Sequence, residues 1–107
     1  MKIDQETITR LYELTCLVAT EYTQAELDKI KQKISDVVTK NGGEVKEVED
    51  WGKKEMAYTI RKEGKQYREA RYLHFVFESD ATQVTQTKEA MNITDEIIRY
   101  LLIKSEE

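Results

Sequence analysis

The stretch Trp51-Gly52-Lys53-Lys54-Glu55-Met56-Ala57-Tyr58-Thr59-Ile60-Arg61-Lys62 puts a glycine, two adjacent cations and an alternating apolar run into one short segment. From Met56 onward, Met56, Tyr58 and Ile60 fall on one side of an extended chain while Ala57, Thr59 and Arg61 fall on the other, the period of two that marks a β-strand. That period assigns Met56, Tyr58 and Ile60 to the core. Gly52 supplies a loose backbone at the strand entry, Asp50 to Gly52 reads as a bend or bulge, and Trp51 is expected to pack under that bend instead of presenting a binding surface. Glu44 to Val48 is extended chain leading into it.

Downstream, Glu63-Gly64-Lys65 reads as a hairpin turn. Over Gln66 to Glu78, Leu73, Phe75 and Phe77 share a face opposite Tyr72, His74 and Val76, so this strand has apolar residues on both sides and is expected to be central. Upstream, Tyr12, Leu14, Cys16 and Val18 alternate with Glu13, Thr15, Leu17 and Ala19, a second central strand. Thr23-Gln24-Ala25-Glu26 matches a capping box, and Leu27, Ile30, Ile34, Val37 and Val38 follow at helical spacing. Asn41-Gly42-Gly43 stops that helix through the left-handed backbone glycine tolerates. Asp80-Ala81-Thr82-Gln83 opens a weaker helix with Val84, Ala90 and Met91 as its apolar contacts. Ile97, Ile98, Leu101, Leu102 and Ile103 make the last strand. The order strand, helix, strand, strand, helix, strand, with right-handed crossovers around a hairpin, gives an α+β, ferredoxin-like βαββαβ sandwich: a four-stranded antiparallel sheet, two helices on one face, the other face open.

A chain of 107 residues is about one domain and long enough to bury a core without staples. Residues 1–10 are read as an amino-terminal extension, 11–104 as the single domain and 105–107 as an acidic tail. Cys16 is the only cysteine, which excludes a disulfide framework and suits a reducing, cytoplasmic setting. The start carries no apolar core of a signal peptide, and no run approaches the roughly 20 apolar residues of a membrane helix.

The net charge is −4, but it is unevenly spread. Between Gly52 and Arg71, seven cations (Lys53, Lys54, Arg61, Lys62, Lys65, Arg68, Arg71) face three carboxylates, +4 net, and the rest of the chain is −8. Local cations govern phosphate contacts more than global charge does, so this segment can orient an RNA, but charge alone favours the plainer reading of a solvated hairpin tip. Tyr12, Tyr58, Tyr67 and Tyr72 interleave with Lys or Arg in predicted strands, as on sheets that stack bases. Tyr67, beside Arg68, is placed equally well for the core or for a partner. Catalytic signals are lacking: His74 is the sole histidine, no serine sits in a nucleophile setting, and no phosphate loop or metal spacing occurs.

Asp50-Trp51-Gly52-Lys53-Lys54-Glu55-Met56-Ala57-Tyr58-Thr59-Ile60 resembles the bacterial small-subunit ribosomal protein six family, which carries a glycine, two basic residues and then Leu or Met, Ala, Tyr, a variable residue and Ile. Arg10-Leu11-Tyr12-Glu13 resembles the opening strand of that family, and Asp95-Glu96-Ile97-Ile98-Arg99 its lead into the last strand. The resemblance implies a ferredoxin-like, non-catalytic protein of the ribosome, with no cofactor and no small-molecule substrate. It also implies binding to the central domain of the small-subunit ribosomal RNA together with small-subunit ribosomal protein eighteen. By the same resemblance Arg10, Tyr12, Lys53, Lys54 and Arg99 are contact candidates, joined from the basic segment by Arg61, Lys62, Tyr67, Arg68 and Arg71. Thr59 stands where members commonly have proline, and Glu55 adds a negative charge beside the cation pair.

Two other readings use the same fold. An acylphosphatase-like hydrolase needs a phosphate-cradling loop after the first strand, where this chain has Thr20-Glu21-Tyr22-Thr23 and Glu21 repels phosphate. A regulatory or self-dimerising sheet domain would bury the open face against a second copy.

Overall fold

The computed structural model describes residues 9–105. They form β1 (Thr9–Val18), α1 (Gln24–Lys40), β2 (Glu44–Lys62), β3 (Lys65–Asp80), α2 (Val84–Asn92) and β4 (Ile97–Lys104). The strands make one antiparallel sheet in the order β2-β3-β1-β4. The two strands with apolar residues on both faces, β1 and β3, are the inner ones, as their composition requires. Most of the extension and Glu106 and Glu107 of the tail lie outside the described residues. Thr9 and Arg10, assigned to the extension from sequence, instead form the first rungs of β1 opposite Asp80 and Ser79. A polar strand end needs no apolar period when a longer neighbour, here β3, offers it backbone partners.

Both helices cover one sheet face. Tyr12, Leu14, Cys16 and Val18 of β1 and Leu73, Phe75 and Phe77 of β3 meet Leu27, Ile30, Ile34 and Val38 of α1, Met91 of α2 and Ile97 of β4. Burial pushes the Cys16 thiol up to about 12, so it packs as a small hydrophobe and carries no thiolate at neutral pH. The capping box is formed at both contacts: Thr23 Oγ1 accepts from the Glu26 amide at 3.2 Å, and the Thr23 amide donates to Glu26 Oε1 at 2.8 Å. Thr23→Ala is expected to lower stability by about 1 kcal/mol, read as a fall in the unfolding midpoint; an unchanged midpoint would show that the cap contributes nothing. At the other end the Gly43 amide donates to the Val38 carbonyl and the Gly42 amide to that of Thr39, with Gly42 at φ +90°, a Schellman closure. The helix α2 starts at Val84, later than the Asp80 expected from sequence. The Asp80 carboxylate is held in a turn by the amide and hydroxyl of Thr82, and Gln83 makes no side-chain cap.

The hairpin turn is two residues long, Glu63 (φ +51°) and Gly64 (φ +81°), both left-handed, so Lys65 belongs to β3 and pairs with Lys62. Register shifts interrupt β2 between Val45 and Glu47, Asp50 and Gly52, and Glu55 and Ile60. The last is large. Glu55 pairs with Glu69 and Ile60 with Tyr67, so residues 56–59 face Arg68 alone. This surplus of chain breaks the strict alternation and corrects the core assignment: Ile60 is buried, Met56 is half-buried, and Tyr58 is 72% exposed.

Candidate nucleic-acid interface

The face away from the helices carries Glu13, Thr15 and Leu17 of β1, their register partners Val76, His74 and Tyr72 of β3, and Ile103, Leu101 and Arg99 of β4. Trp51, the extra residue of the Asp50/Gly52 bulge, swings onto this face because Gly52 takes φ +86°. Its ring lies flat on His74, with centroids 4.2 Å apart and planes 14° from parallel. The indole Nε1 donates to Glu49 Oε1 at 2.8 Å. Beneath it, His74 is 8% exposed, with Nδ1 3.0 Å from Thr15 Oγ1 and Nε2 3.6 Å from Glu13 Oε1. Trp51 remains 42% exposed, so the expectation that it hides under the bend is corrected: it roofs a buried histidine and shows its outer surface to solvent. Lys54 Nζ lies 5.4 Å from the Trp51 ring centroid and 5.3 Å from that of Tyr72, a double cation–π placement that holds the ammonium over this face.

Successive strand residues face opposite ways, so the adjacent cations part company. Lys54 sits opposite Ala70 on the open face, and Lys53 opposite Arg71, next in phase to buried Leu73 on the helix side. Arg71 Nη1 donates to both Asp50 carboxylate oxygens at 3.0 Å and so braces the Trp51 bulge. Lys62 Nζ donates to the Ile97 carbonyl, tying the hairpin to the start of β4. Tyr67 is half-buried opposite Ile60 and lines a cleft with Tyr22 and Glu96. Arg61 is exposed near the turn, opposite Gln66. Arg10 is exposed at the far end of β1. Tyr12 is corrected outright. It is 8% exposed and stacked on Phe77 at 5.6 Å, so its ring is core and offers no surface to a base.

What the fold does gather is Lys54, Arg68 and Arg99 around exposed aromatic rings. Arg99, opposite Leu17 on the open face, lines a cleft with Tyr58 and Tyr72; Arg68 lines an adjoining one that shares Met56, Ala57 and Tyr58. From sequence, Tyr58 and Tyr72 stand among the aromatics able to stack bases, with Tyr58 assigned to the core, whereas Trp51 is expected to present no binding surface. For Trp51 a signal existed: a glycine directly after it in a strand marks a bulge, which changes the face of the residue it inserts.

Two carboxylates near this framework sit below their ordinary range. For Asp50, burial pushes the value up, but the Gly52 amide at 2.8 Å and the Arg71 guanidinium together outweigh it. For Glu96, the Lys33 ammonium at 2.9 and 3.1 Å is the main cause, against burial. A depressed folded value contributes stability that is full above the unfolded carboxylate range and lost as pH falls through the folded value. The unfolding midpoint should therefore decline below about pH 4, and Asp50→Asn should flatten part of that acid limb in melts recorded across it. An unaltered limb would mean that Asp50 titrates alike in both states.

Among the described residues no group of three or more His, Cys, Asp or Glu could hold a metal ion, and no helix is long and apolar enough to cross a membrane. Residues 11–104 match the family described as ribosomal protein S6. Small ribosomal subunit protein bS6 of Geotalea daltonii is 32% identical over 97 residues, 91% of this chain and 73% of that protein. The Moorella thermoacetica protein of the same name is 32% identical over 98 residues, covering 92% and 96%. The crystal structure of 30S ribosomal protein S6 from Thermotoga maritima aligns with a TM-score of 0.76 over 92% of this chain and 89% of that one; at 23% identity it speaks for the fold. The family match runs from β1 to the end of β4, so the sheet, its bulges and its open face all lie within it, and this chain belongs to the ribosomal protein S6 family, non-catalytic proteins of the small ribosomal subunit.

Proposed function

We propose that this chain is a structural constituent of the small ribosomal subunit in the cytoplasm, where it binds the central domain of the small-subunit ribosomal RNA together with ribosomal protein eighteen. The observation that carries this reading, within the family already established, is the open sheet face on which Lys54 lies over Trp51 and Tyr72 and Arg99 stands nearby. Lys54 is a point charge suited to one phosphate, and the Arg99 guanidinium can fork onto two phosphate oxygens. The aromatic rings add stacking surface, and the basic segment from Gly52 to Arg71 steers an anionic partner toward it. Leu101 and Ile103, 59% and 47% exposed on the same face, provide apolar area for the protein partner. The hydrolase alternative has no support in a family of non-catalytic proteins.

The test is a three-component binding assay with this chain, central-domain RNA and ribosomal protein eighteen. A ternary complex that weakens steeply with salt and discriminates against unrelated RNA is expected. Absence of that complex at low salt would overturn the reading, and a stable homodimer without RNA affinity would establish the self-dimerising alternative.

A further inference from the structure

The surplus of chain at residues 56–59 presents an aromatic ring where a regular strand would have buried one. Tyr58 is 72% exposed, yet it is not an isolated surface residue. It forms one wall of a cleft of about 280 Å³ whose other walls are Leu17, Met56, Ile60, Tyr72 and Arg99. Leu17 and Tyr72 are register partners on the open face, and Arg99 pairs with Leu17 from the other side. The cleft thus has an apolar and aromatic lining, a guanidinium at its rim, and no carboxylate among its lining residues. In the adjoining cleft Arg68 stands on the other side of Met56, Ala57 and Tyr58, together with Glu55.

From this arrangement we infer that the Tyr58 cleft seats one unpaired nucleobase, with Arg68 and Arg99 meeting its flanking phosphates. The inference rests on the RNA reading above and names the site at which it reads a single-stranded nucleotide. Its chemistry follows from the lining. A nucleobase is planar, presents a π-face to an aromatic ring and is joined to anions on both sides, and single-stranded RNA is recognised by stacking of this kind. Arginine suits both tasks, since its planar guanidinium stacks on rings and forks onto phosphate. An apolar side chain of a protein would match the lining equally but leave Arg99, whose cleft has no carboxylate in its lining, without counter-charge, so the cationic rim favours the nucleotide. The bulge also explains how the ring is presented: residues 56–59 have only Arg68 opposite them in β3, which frees Tyr58 from the alternation that would have turned it inward.

The same three-component assay decides it, run as a salt series on the wild-type chain, Tyr58→Ala and Tyr58→Phe. Stacking on one base predicts that Tyr58→Ala weakens RNA binding about 5- to 150-fold with an unchanged salt slope, because no phosphate contact is lost, while Tyr58→Phe binds within about twofold of wild type. Replacing the seated nucleotide by an abasic one should abolish the difference between wild type and Tyr58→Ala. Since the ring is exposed, both variants should keep the wild-type unfolding midpoint. Wild-type binding with Tyr58→Ala equally tight would overturn the base site and leave the proposed function standing. Failure of the wild type itself to bind would overturn both. Loss of affinity of Tyr58→Ala for ribosomal protein eighteen alone, without RNA, would show that the cleft belongs to the protein partner and overturn the base site.

Discussion

Replacing Phe75 by alanine is expected to lower the stability of this chain by about 3–5 kcal/mol, a large part of the roughly 5–15 kcal/mol typical of a single domain. Phe75 is fully buried and occupies the middle of β3, where it faces Leu14 across one ladder and Val48 across the other. Leu14 is fixed by strand pairing on both sides and the helices close the space above, so only Val48 on the edge strand β2 is free to shift toward the gap. The cavity therefore stays largely open, and the full transfer and cavity terms apply. In a thermal melt the midpoint should fall by about 12 °C or more, at roughly 4 °C or more per kcal/mol. A change under about 1 kcal/mol would mean that the sheet relaxes to close the space and that the core is centred elsewhere. Exposed Tyr58→Ala is the built-in control, because it removes an aromatic ring of comparable size without opening a cavity.

The second large effect is on binding. Lys54→Ala combined with Arg99→Ala removes two of the three cations gathered on the open face and leaves Arg68. Each lost phosphate contact reduces the slope of log K against log salt by about 0.7 to 0.9. Two contacts amount to about 1.4 to 1.8, which at roughly 0.1 M salt corresponds to a 25- to 60-fold weaker complex, converging with wild type as salt rises. Neither substitution touches the buried core, so the melt should barely change. Lys53→Ala is the informative partner experiment: its side chain lies across from Arg71 on the other side of the sheet, so it should alter affinity far less than Lys54→Ala. Equal effects of the two lysines would show that the RNA wraps the edge of β2 instead of lying on the open face.

The fold was legible because its signals are local and redundant. The capping box at Thr23, the glycine stop at Gly42 and the two-faced apolar strands each stand in the sequence, and the structure realises each of them. The interface was less legible for a reason that is also physical. A strand side chain's direction depends on counting residues by twos, and each bulge changes the count without changing composition. Trp51 and Tyr58 lie at two such places, and both ended on the surface when alternation or bend geometry pointed them inward. Arg71 and Lys62 illustrate a different limit. Charge marks them as available, but their partners, Asp50 and the Ile97 carbonyl, come from residues 21 and 35 positions away, and only the folded chain brings them together. Tyr12 shows the converse: the family resemblance names the position, while the alternation of β1 had already placed its ring with Leu14 and Cys16.

The uneven lengths of the strands have a further consequence for motion. β1 ladders along β3 only from Arg71 to Asp80, so the stretch from Lys65 to Ala70 has β2 as its sole strand partner, and side chains alone tie this ribbon to the body: Lys62 on the Ile97 carbonyl, Tyr67 beside Tyr22, and Tyr58 beside Leu17 and Arg99. A two-stranded ribbon is marginal by itself, whereas Leu73 to Phe77 is clamped from both sides. The ribbon is therefore expected to exchange its amide hydrogens sooner than the body, a difference that hydrogen exchange would read directly. Five of the seven cations of the basic segment, Lys54, Arg61, Lys62, Lys65 and Arg68, ride on this ribbon with all three of its glutamates, so the freedom of the ribbon bears on how readily they adapt to the surface they meet.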